Sequence, residues 1–302
     1  MSNLKVNLLG KQLSNPVITA SGTFGFGREY NEFYDIGVLG GVCTKGLTIN
    51  KKLGNKSPRI AETSCGILNS VGLQNPGVEA FIKNDLDWLK STGTCVIANI
   101  AGSTLDDYIK MAERLDSTAV DMLEVNISCP NVKEGGMAFG VEPKNVEKVT
   151  RAIRDNTKKP VIMKLSPNVA NIVDNAKAVE NGGGDAVSLI NTLGGMAVNW
   201  KTRRPILNNV FGGLSGECVK PIALKMVYQV HQACSLPIIG IGGISKYTDV
   251  LEFMLCGATA VEVGTANFTD PMASYNIVKD LEEFVKTNDI DINDYVGNLI
   301  VD

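Results

Sequence analysis

The sequence predicts an α/β fold, a (β/α)8 barrel, on three observations. Eight short apolar runs have β-strand character, longer amphipathic stretches separate most of them, and 302 residues suit eight such units in one chain. The runs are VITAS (17–21), GVCTK (41–45), CVIANI (95–100), MLEVNIS (122–128), PVIMKLS (160–166), AVSLINT (186–192), PIIGIGG (237–243) and AVEVGTA (260–266). A doubly wound sheet is the alternative built from the same alternation. No linker or low-complexity segment divides the chain, so a single domain over residues 1–302 is expected.

The helical stretches follow in order: 78–90, 104–115, 144–156, 169–181, 219–233, 246–255 and, after the last strand, 272–286. Each shows apolar residues at the three-to-four spacing of a helix that packs one face on a sheet. Two long segments, 46–77 and 193–218, are rich in Gly, Asn and Pro and are read as functional loops.

Composition bounds the function. A net charge of −3 gives no basic footprint for nucleic acid. The N-terminus MSNLKVNLLG lacks the apolar core of a signal peptide, and no run reaches the length of a membrane span, so a soluble, cytoplasmic protein is expected. The seven cysteines (43, 65, 95, 129, 218, 234 and 256) are scattered without any C-x-x-C. That pattern offers neither a metal centre nor a disulfide framework, and core packing is expected for Cys43, Cys95 and Cys256. The one histidine, His231, sits in a helical stretch and reads as structural, which leaves Cys, Lys, Asp or Glu for acid–base work.

A barrel places its chemistry at the C-terminal ends of its strands. Those ends carry Ser21, Lys45, Asn99, Asn126, Ser128, Lys164, Asn191, Gly242–Gly243 and Gly264–Thr265. Alternation along MLEVNIS puts Glu124, Asn126 and Ser128 on one face and Val125 and Ile127 on the other. Lys164 has two readings: a cation facing ligand, or a buried lysine paired with a carboxylate such as Glu124. GIGGIS (240–245) and VEVGTA (261–266) follow the seventh and eighth strands, where barrels often bind phosphate, although tight turns need the same glycines. The basic pieces GNKSPRI (54–60) and TRRP (202–205) read as solvated loop charge. Asn69, Asn75, Asn99, Asn126 and Asn191 are expected around one mouth, where their amides suit a flat, amide-rich ligand. Cys129, in NISCPNVKEGG (126–136), is the candidate nucleophile or base at this rim, with the segment containing Gly135–Gly136 read as a lid, and Cys65 is the rival thiol.

Longer motifs carry a resemblance. ITASGTFGFGREY, KGLTIN, GILNSVGLQNPG, NISCPNVKEGGMAFG, VSLINTLGGMAVN, GGLSGECVKPIALKMVYQV and GIGGI resemble, in order and over essentially the whole chain, the class 1 dihydroorotate dehydrogenases, and most closely the NAD-linked class 1B form. The resemblance implies a (β/α)8 barrel that binds FMN and oxidises dihydroorotate to orotate in pyrimidine biosynthesis. It implies that Cys129 is the catalytic base and that Lys45, Asn69, Ser70, Val71, Gly72, Leu73, Asn126, Asn191 and Thr192 contact substrate. FMN contacts are implied for Ser21, Lys45, Gly46, Asn99, Asn126, Lys164, Ile190, Gly216, Gly242, Gly243, Gly264 and Thr265. It further implies a homodimer core within a heterotetramer, whose second subunit carries FAD and a 2Fe-2S cluster and passes electrons to NAD. The alternatives are a fumarate-using class 1A-like enzyme and a related dihydropyrimidine-oxidising flavoenzyme.

Overall fold

The computed structural model describes residues 3–127 and 139–301. Eight parallel strands close into a barrel: β1 (Val17–Thr19), β2 (Gly41–Cys43), β3 (Cys95–Ile100), β4 (Met122–Asn126), β5 (Val161–Lys164), β6 (Ala186–Leu189), β7 (Ile238–Ile241) and β8 (Ala260–Val263). Each pairs with the next in sequence, and β8 returns to β1 with Val261 opposite Val17. The strands read as apolar runs because both faces are covered, and β3 is buried at all six positions. Every predicted strand is present, but most are shorter than the apolar runs. Residues at the ends of the runs, such as Ser21, Lys45 and Asn191, leave the ladder and line the mouth of the barrel.

Helices cover the outside: α1 (residues 78–91, with a π turn over Ile82–Leu86), α2 (Leu105–Asp116), α3 (Pro143–Arg154), α4 (Ile172–Asn181), α5 (Lys220–His231), α6 (Tyr247–Leu255) and α7 (Ala273–Asn288). Local chemistry sets their starts. Thr104 and Asp107 form a reciprocal capping box at α2, Pro143 opens α3, and the Asn171 side chain accepts from Val173 N–H at α4. On α2 the buried face is Tyr108, Met111, Ala112 and Leu115, one stripe at helical spacing.

Two parts differ from the sequence reading. A hairpin, Val6–Leu8 with Lys11–Leu13, precedes the barrel. The segments read as long loops instead build a four-stranded antiparallel sheet from Ile60–Thr63, Gly66–Asn69, Phe211–Ser215 and Leu193–Met196. This sheet stands over the C-terminal end of the barrel and forms one wall of its mouth. No helix among the described residues is long and apolar enough to cross a membrane.

Candidate active site

A cavity of about 1560 Å³ opens at the C-terminal ends of the strands, between the barrel and the antiparallel sheet. It exceeds the roughly 300–1,000 Å³ of a typical small-ligand site, so it has room for two ligands side by side. The sequence-predicted positions Ser21, Lys45, Gly46, Asn126, Lys164, Ile190, Asn191 and Thr192 line it from the barrel. Asn69, Ser70, Val71, Gly72 and Leu73 line it from the strand Gly66–Asn69 and the loop that follows. Gly216, Gly242, Gly243, Gly264 and Thr265 close a third side. Cys129 and Ser128, with the Gly135–Gly136 segment, lie outside the described residues.

The two predicted lysines differ in circumstance. Lys164, at the end of β5, is 6% exposed. Its Nζ donates to Glu124 Oε1 at 3.1 Å and to Glu262 Oε2 at 3.0 Å. The paired reading of this lysine therefore holds, since it is ion-paired in the barrel interior, and its side chain also lines the cavity floor. Glu262 went unnoticed in AVEVGTA, although alternation with Val261 and Val263 places it on the inward face. Lys45, by contrast, bonds through its backbone to Gly25 and Thr44, but its ammonium makes no hydrogen bond or ion pair with any described residue. Burial, together with the nearby Arg59 guanidinium, lowers its pKa from the ordinary lysine value. A half-buried ammonium without an anion is poised for an anionic ligand.

Amides supply the polar wall, with two corrections to the expected ring of five. Asn126, Asn191 and Asn69 line the cavity. Asn191 Nδ2 donates to Asn126 Oδ1 at 3.2 Å, and Asn191 Oδ1 accepts from Thr192 N–H at 2.7 Å, so these amides orient one another. Asn75 does not reach the mouth. It is buried and spends its side chain on the loop, accepting from Thr48 and Gly77 N–H and donating to Leu73 O at 2.7 Å. Asn99 is fully buried below the cavity, where Nδ2 donates to Glu124 Oε1 at 2.6 Å. Its strand position faces the barrel axis one layer beneath the mouth.

Arg59 also departs from its reading as solvated charge. Its guanidinium donates to the carbonyls of Leu53 and Asn55 and to Gln74 Oε1, fastening the loop beside Lys45. Asn168, which the sequence reading passed over, lines the cavity and clasps the chain after β6. Its Nδ2 donates to Thr192 O at 2.9 Å, and its Oδ1 accepts from Gly194 N–H at 2.8 Å.

The glycine-bearing side is shaped by backbone. Gly216 has φ +110° and Gly243 has φ +74°, both in the left-handed region. A Cβ on Gly216 would fall 2.6 Å from Gly66 Cα, and one on Gly243 would fall 2.8 Å from Lys220 Cβ and 3.0 Å from Gly216 O. These segments meet as bare backbone with Thr265, whose hydroxyl donates to Ser215 Oγ at 2.8 Å. Such a concave run of peptide groups and hydroxyls fits a phosphate.

The thiols divide by environment. Cys65 and Cys218 are exposed beside the cavity. Cys43 is buried, but its Sγ points into the barrel and contacts Glu124 Oε1 at 3.2 Å, so it belongs to a polar interior cluster and not simply to apolar packing. Burial, with the neighbouring Glu124 and Glu262 charges, pushes its pKa well above the thiol range. His231, the last residue of α5, packs against Gly257 and Gly297, away from the cavity.

The chain matches the family model described as "Dihydroorotate dehydrogenase" over residues 3–285. It is 52% identical over 301 residues to the "Dihydroorotate dehydrogenase B (NAD(+)), catalytic subunit" of Thermoanaerobacter pseudethanolicus, covering 99% of this chain and 100% of that one. The proteins of the same name from Alkaliphilus oremlandii and Geotalea uraniireducens are 54% and 53% identical, over 98% and 99% of this chain and 99% and 98% of theirs.

Proposed function

The chain belongs to the dihydroorotate dehydrogenase family, and from that premise we propose that its cavity oxidises dihydroorotate to orotate, with FMN as the bound hydride acceptor. One observation carries the substrate assignment. Lys45 presents an ammonium with no partner among the described residues, in a cavity whose wall is built from Asn69, Asn126 and Asn191. Dihydroorotate has a carboxylate for the ammonium and ring amides for the asparagines, which both donate and accept.

The flavin fit rests on three features of the cavity. Its volume accommodates a flavin beside a substrate, the Gly216, Gly242–Gly243 and Gly264–Thr265 segments form a phosphate-shaped cradle, and Lys164 places a positive charge on the floor. Ser21, Lys45, Gly46, Lys164 and Ile190 would hold the ring, and the glycine cradle would hold the phosphate. When bound, FMN supplies the two-electron acceptor that no side chain provides.

The chain's own part is binding, orientation and proton handling. Lys45 and the asparagines fix the substrate ring, and Lys164 offers a preorganised charge where negative charge develops. We assign Cys129 as the base that takes a proton from the ring carbon next to the one losing hydride. A thiol ionises more readily near ammonium groups, and Lys45 and Lys164 supply two in this mouth. Electrons then leave to NAD through a partner subunit carrying FAD and a 2Fe-2S cluster. The name shared by the relatives, with its NAD(+) and "catalytic subunit", supports the acceptor and the partner subunit, and the FAD and the cluster rest on the sequence resemblance alone.

A substrate comparison tests the assignment. The protein should turn over dihydroorotate and leave dihydrouracil, which lacks the carboxylate, essentially untouched. Equal turnover of both would transfer the reading to a dihydropyrimidine-oxidising flavoenzyme.

A further inference from the structure

Beneath the cavity floor, the barrel interior holds a polar cluster that the reaction meets only through Lys164. Glu124 on β4 and Glu262 on β8 are 0% and 1% exposed, and Lys164 Nζ bridges them. If all three were ionised, this closed site would carry a net negative charge, and no second cation pairs with either carboxyl among the described residues. Uncompensated charge in such a place is strongly disfavoured.

The hydrogen bonds say which carboxyl gives way. Glu124 collects four donors: Lys164 Nζ at 3.1 Å, Asn99 Nδ2 at 2.6 Å and Cys43 Sγ at 3.2 Å on Oε1, and Ser188 Oγ at 2.8 Å on Oε2. Glu262 receives Lys164 on Oε2 alone, and its Oε1 is buried with no donor. Four donors describe an ionised carboxylate, whereas Glu262 has the single Lys164 donor and lies in hydrogen-bonding contact with the Glu124 carboxyl, an acceptor for a proton carried by Glu262.

We infer that Glu262 is a neutral carboxylic acid and Glu124 a carboxylate, and that the two are positioning residues which, with Lys164, make a charge-neutral seat fixing the ammonium under the cavity. Electrostatics agree. Burial opposes ionisation of both groups, but the Lys164 ammonium and the hydrogen bonds hold Glu124 down to about 2. Burial and the adjacent Glu124 charge push Glu262 well above the carboxylate range. Cys43 Sγ and oxygens of the two carboxyls lie within 4.8 Å of one another, but the ammonium already bridges the carboxyls, in the place a metal ion would need.

The neutral seat matters for the floor of the cavity. Negative charge developing above Lys164 meets a fixed ammonium and is not opposed by a net anionic base beneath it. This catalytic consequence rests on the flavin reading, whereas the proton on Glu262 does not.

Infrared difference spectroscopy on the protein without cofactor tests the proton directly. Wild type at neutral pH should show a buried protonated-carboxyl stretch that shifts in D2O and disappears in Glu262→Gln. Absence of that band from wild type, or its survival in Glu262→Gln, overturns the inference. A second measurement uses FMN-loaded protein. Glu262→Gln should hold the flavin midpoint potential, because it replaces a neutral group. The double variant Glu124→Gln/Glu262→Gln strips the ammonium of its counter-charge and should favour reduced flavin on the order of tenfold, about 30 mV for a two-electron couple. A rise of that size in Glu262→Gln alone would mean that a full negative charge had been removed, and would contradict the assignment. Should the double variant not fold, the infrared band and the single variant still decide. Protein that takes up no FMN but keeps the infrared band would sink the flavin reading and leave the protonation assignment standing.

Discussion

Among single residues, Lys45 and Lys164 bring the same side chain into one cavity in two different circumstances. Lys164 is bound into place by Glu124 and Glu262, whereas the Lys45 ammonium has no partner among the described residues. Replacing Lys45 with Ala should therefore act on substrate binding. Loss of one charge-assisted contact, at about 1.5–3 kcal/mol, predicts a KM for dihydroorotate raised on the order of tenfold or more. The pH dependence follows from the sign of the shift. Only the ammonium holds the carboxylate, and burial lowers the Lys45 pKa. Affinity should thus be full at neutral pH and fall as pH rises, beginning below the ordinary lysine value of 10.5. Steady-state KM across that range checks it, and affinity unchanged beyond 10.5 would contradict it. Cys129→Ala should lower kcat by about a hundredfold or more while FMN stays bound, since general-base contributions are of that order. Much of this was legible in the sequence, because alternation along β4 and β5 assigns the inward faces of Glu124, Asn126 and Lys164. Asn75 was not, because an asparagine type does not reveal whether its amide faces a ligand or, as here, the backbone of its own loop.

Among the elements, the eight strands and seven main helices were readable from period alone, since each carries an uninterrupted apolar pattern. The antiparallel sheet over the mouth was not. Its strands GILN and FGGLS are short and partly glycine, and pairings such as Leu68 with Leu214 join segments far apart in sequence. The N-terminal hairpin hid for a different reason. Its two-residue turn is Leu9–Gly10, both at positive φ, and leucine is not a residue that marks such a turn. The glycine cradle offers a test at this scale. Gly243→Ala adds a Cβ at φ +74° against Lys220 and Gly216, so FMN affinity should fall at least about tenfold, alongside a strain cost of roughly 1–3 kcal/mol. Gly93→Ala is the matched control: its φ is +82°, but nothing lies within 4 Å of the added Cβ. It should lower Tm through backbone strain and leave FMN affinity unchanged. Equal effects of both on FMN affinity would deny the cradle its role.

For the molecule as a whole, the closed barrel turns these local arrangements into one site by bringing all eight strand ends to a common mouth. The opposite end is tied by Asp121, just ahead of β4. Its carboxylate accepts from Lys11 of the hairpin at 2.6 Å, Lys90 of α1 at 2.7 Å and Val96 N–H of β3 at 2.8 Å. Burial opposes its charge, but these three donors hold its pKa below the ordinary aspartate value. A depressed carboxylate stabilises the fold above its unfolded pKa, and this contribution is lost as pH falls through the folded one. Asp121→Ala should therefore cost about 2 kcal/mol at neutral pH, and the difference from wild type should shrink below pH 3.8. Denaturant melts at the two pH values measure it. The fold was legible because a barrel repeats one pattern eight times, and the mouth because its residues follow those strands directly. What the sequence left open was depth: Asn99 and Glu262 lie a layer below the cavity, where distances and donor counts, and not residue type, decide their roles. The central claim is that dihydroorotate delivers two electrons to a flavin held in this cavity. Anaerobic mixing of the FMN-loaded protein with dihydroorotate, followed by flavin absorbance, tests it most directly. Rapid bleaching with one orotate formed per flavin is the predicted result, and a flavin that binds but keeps its oxidised spectrum under excess dihydroorotate would contradict the account.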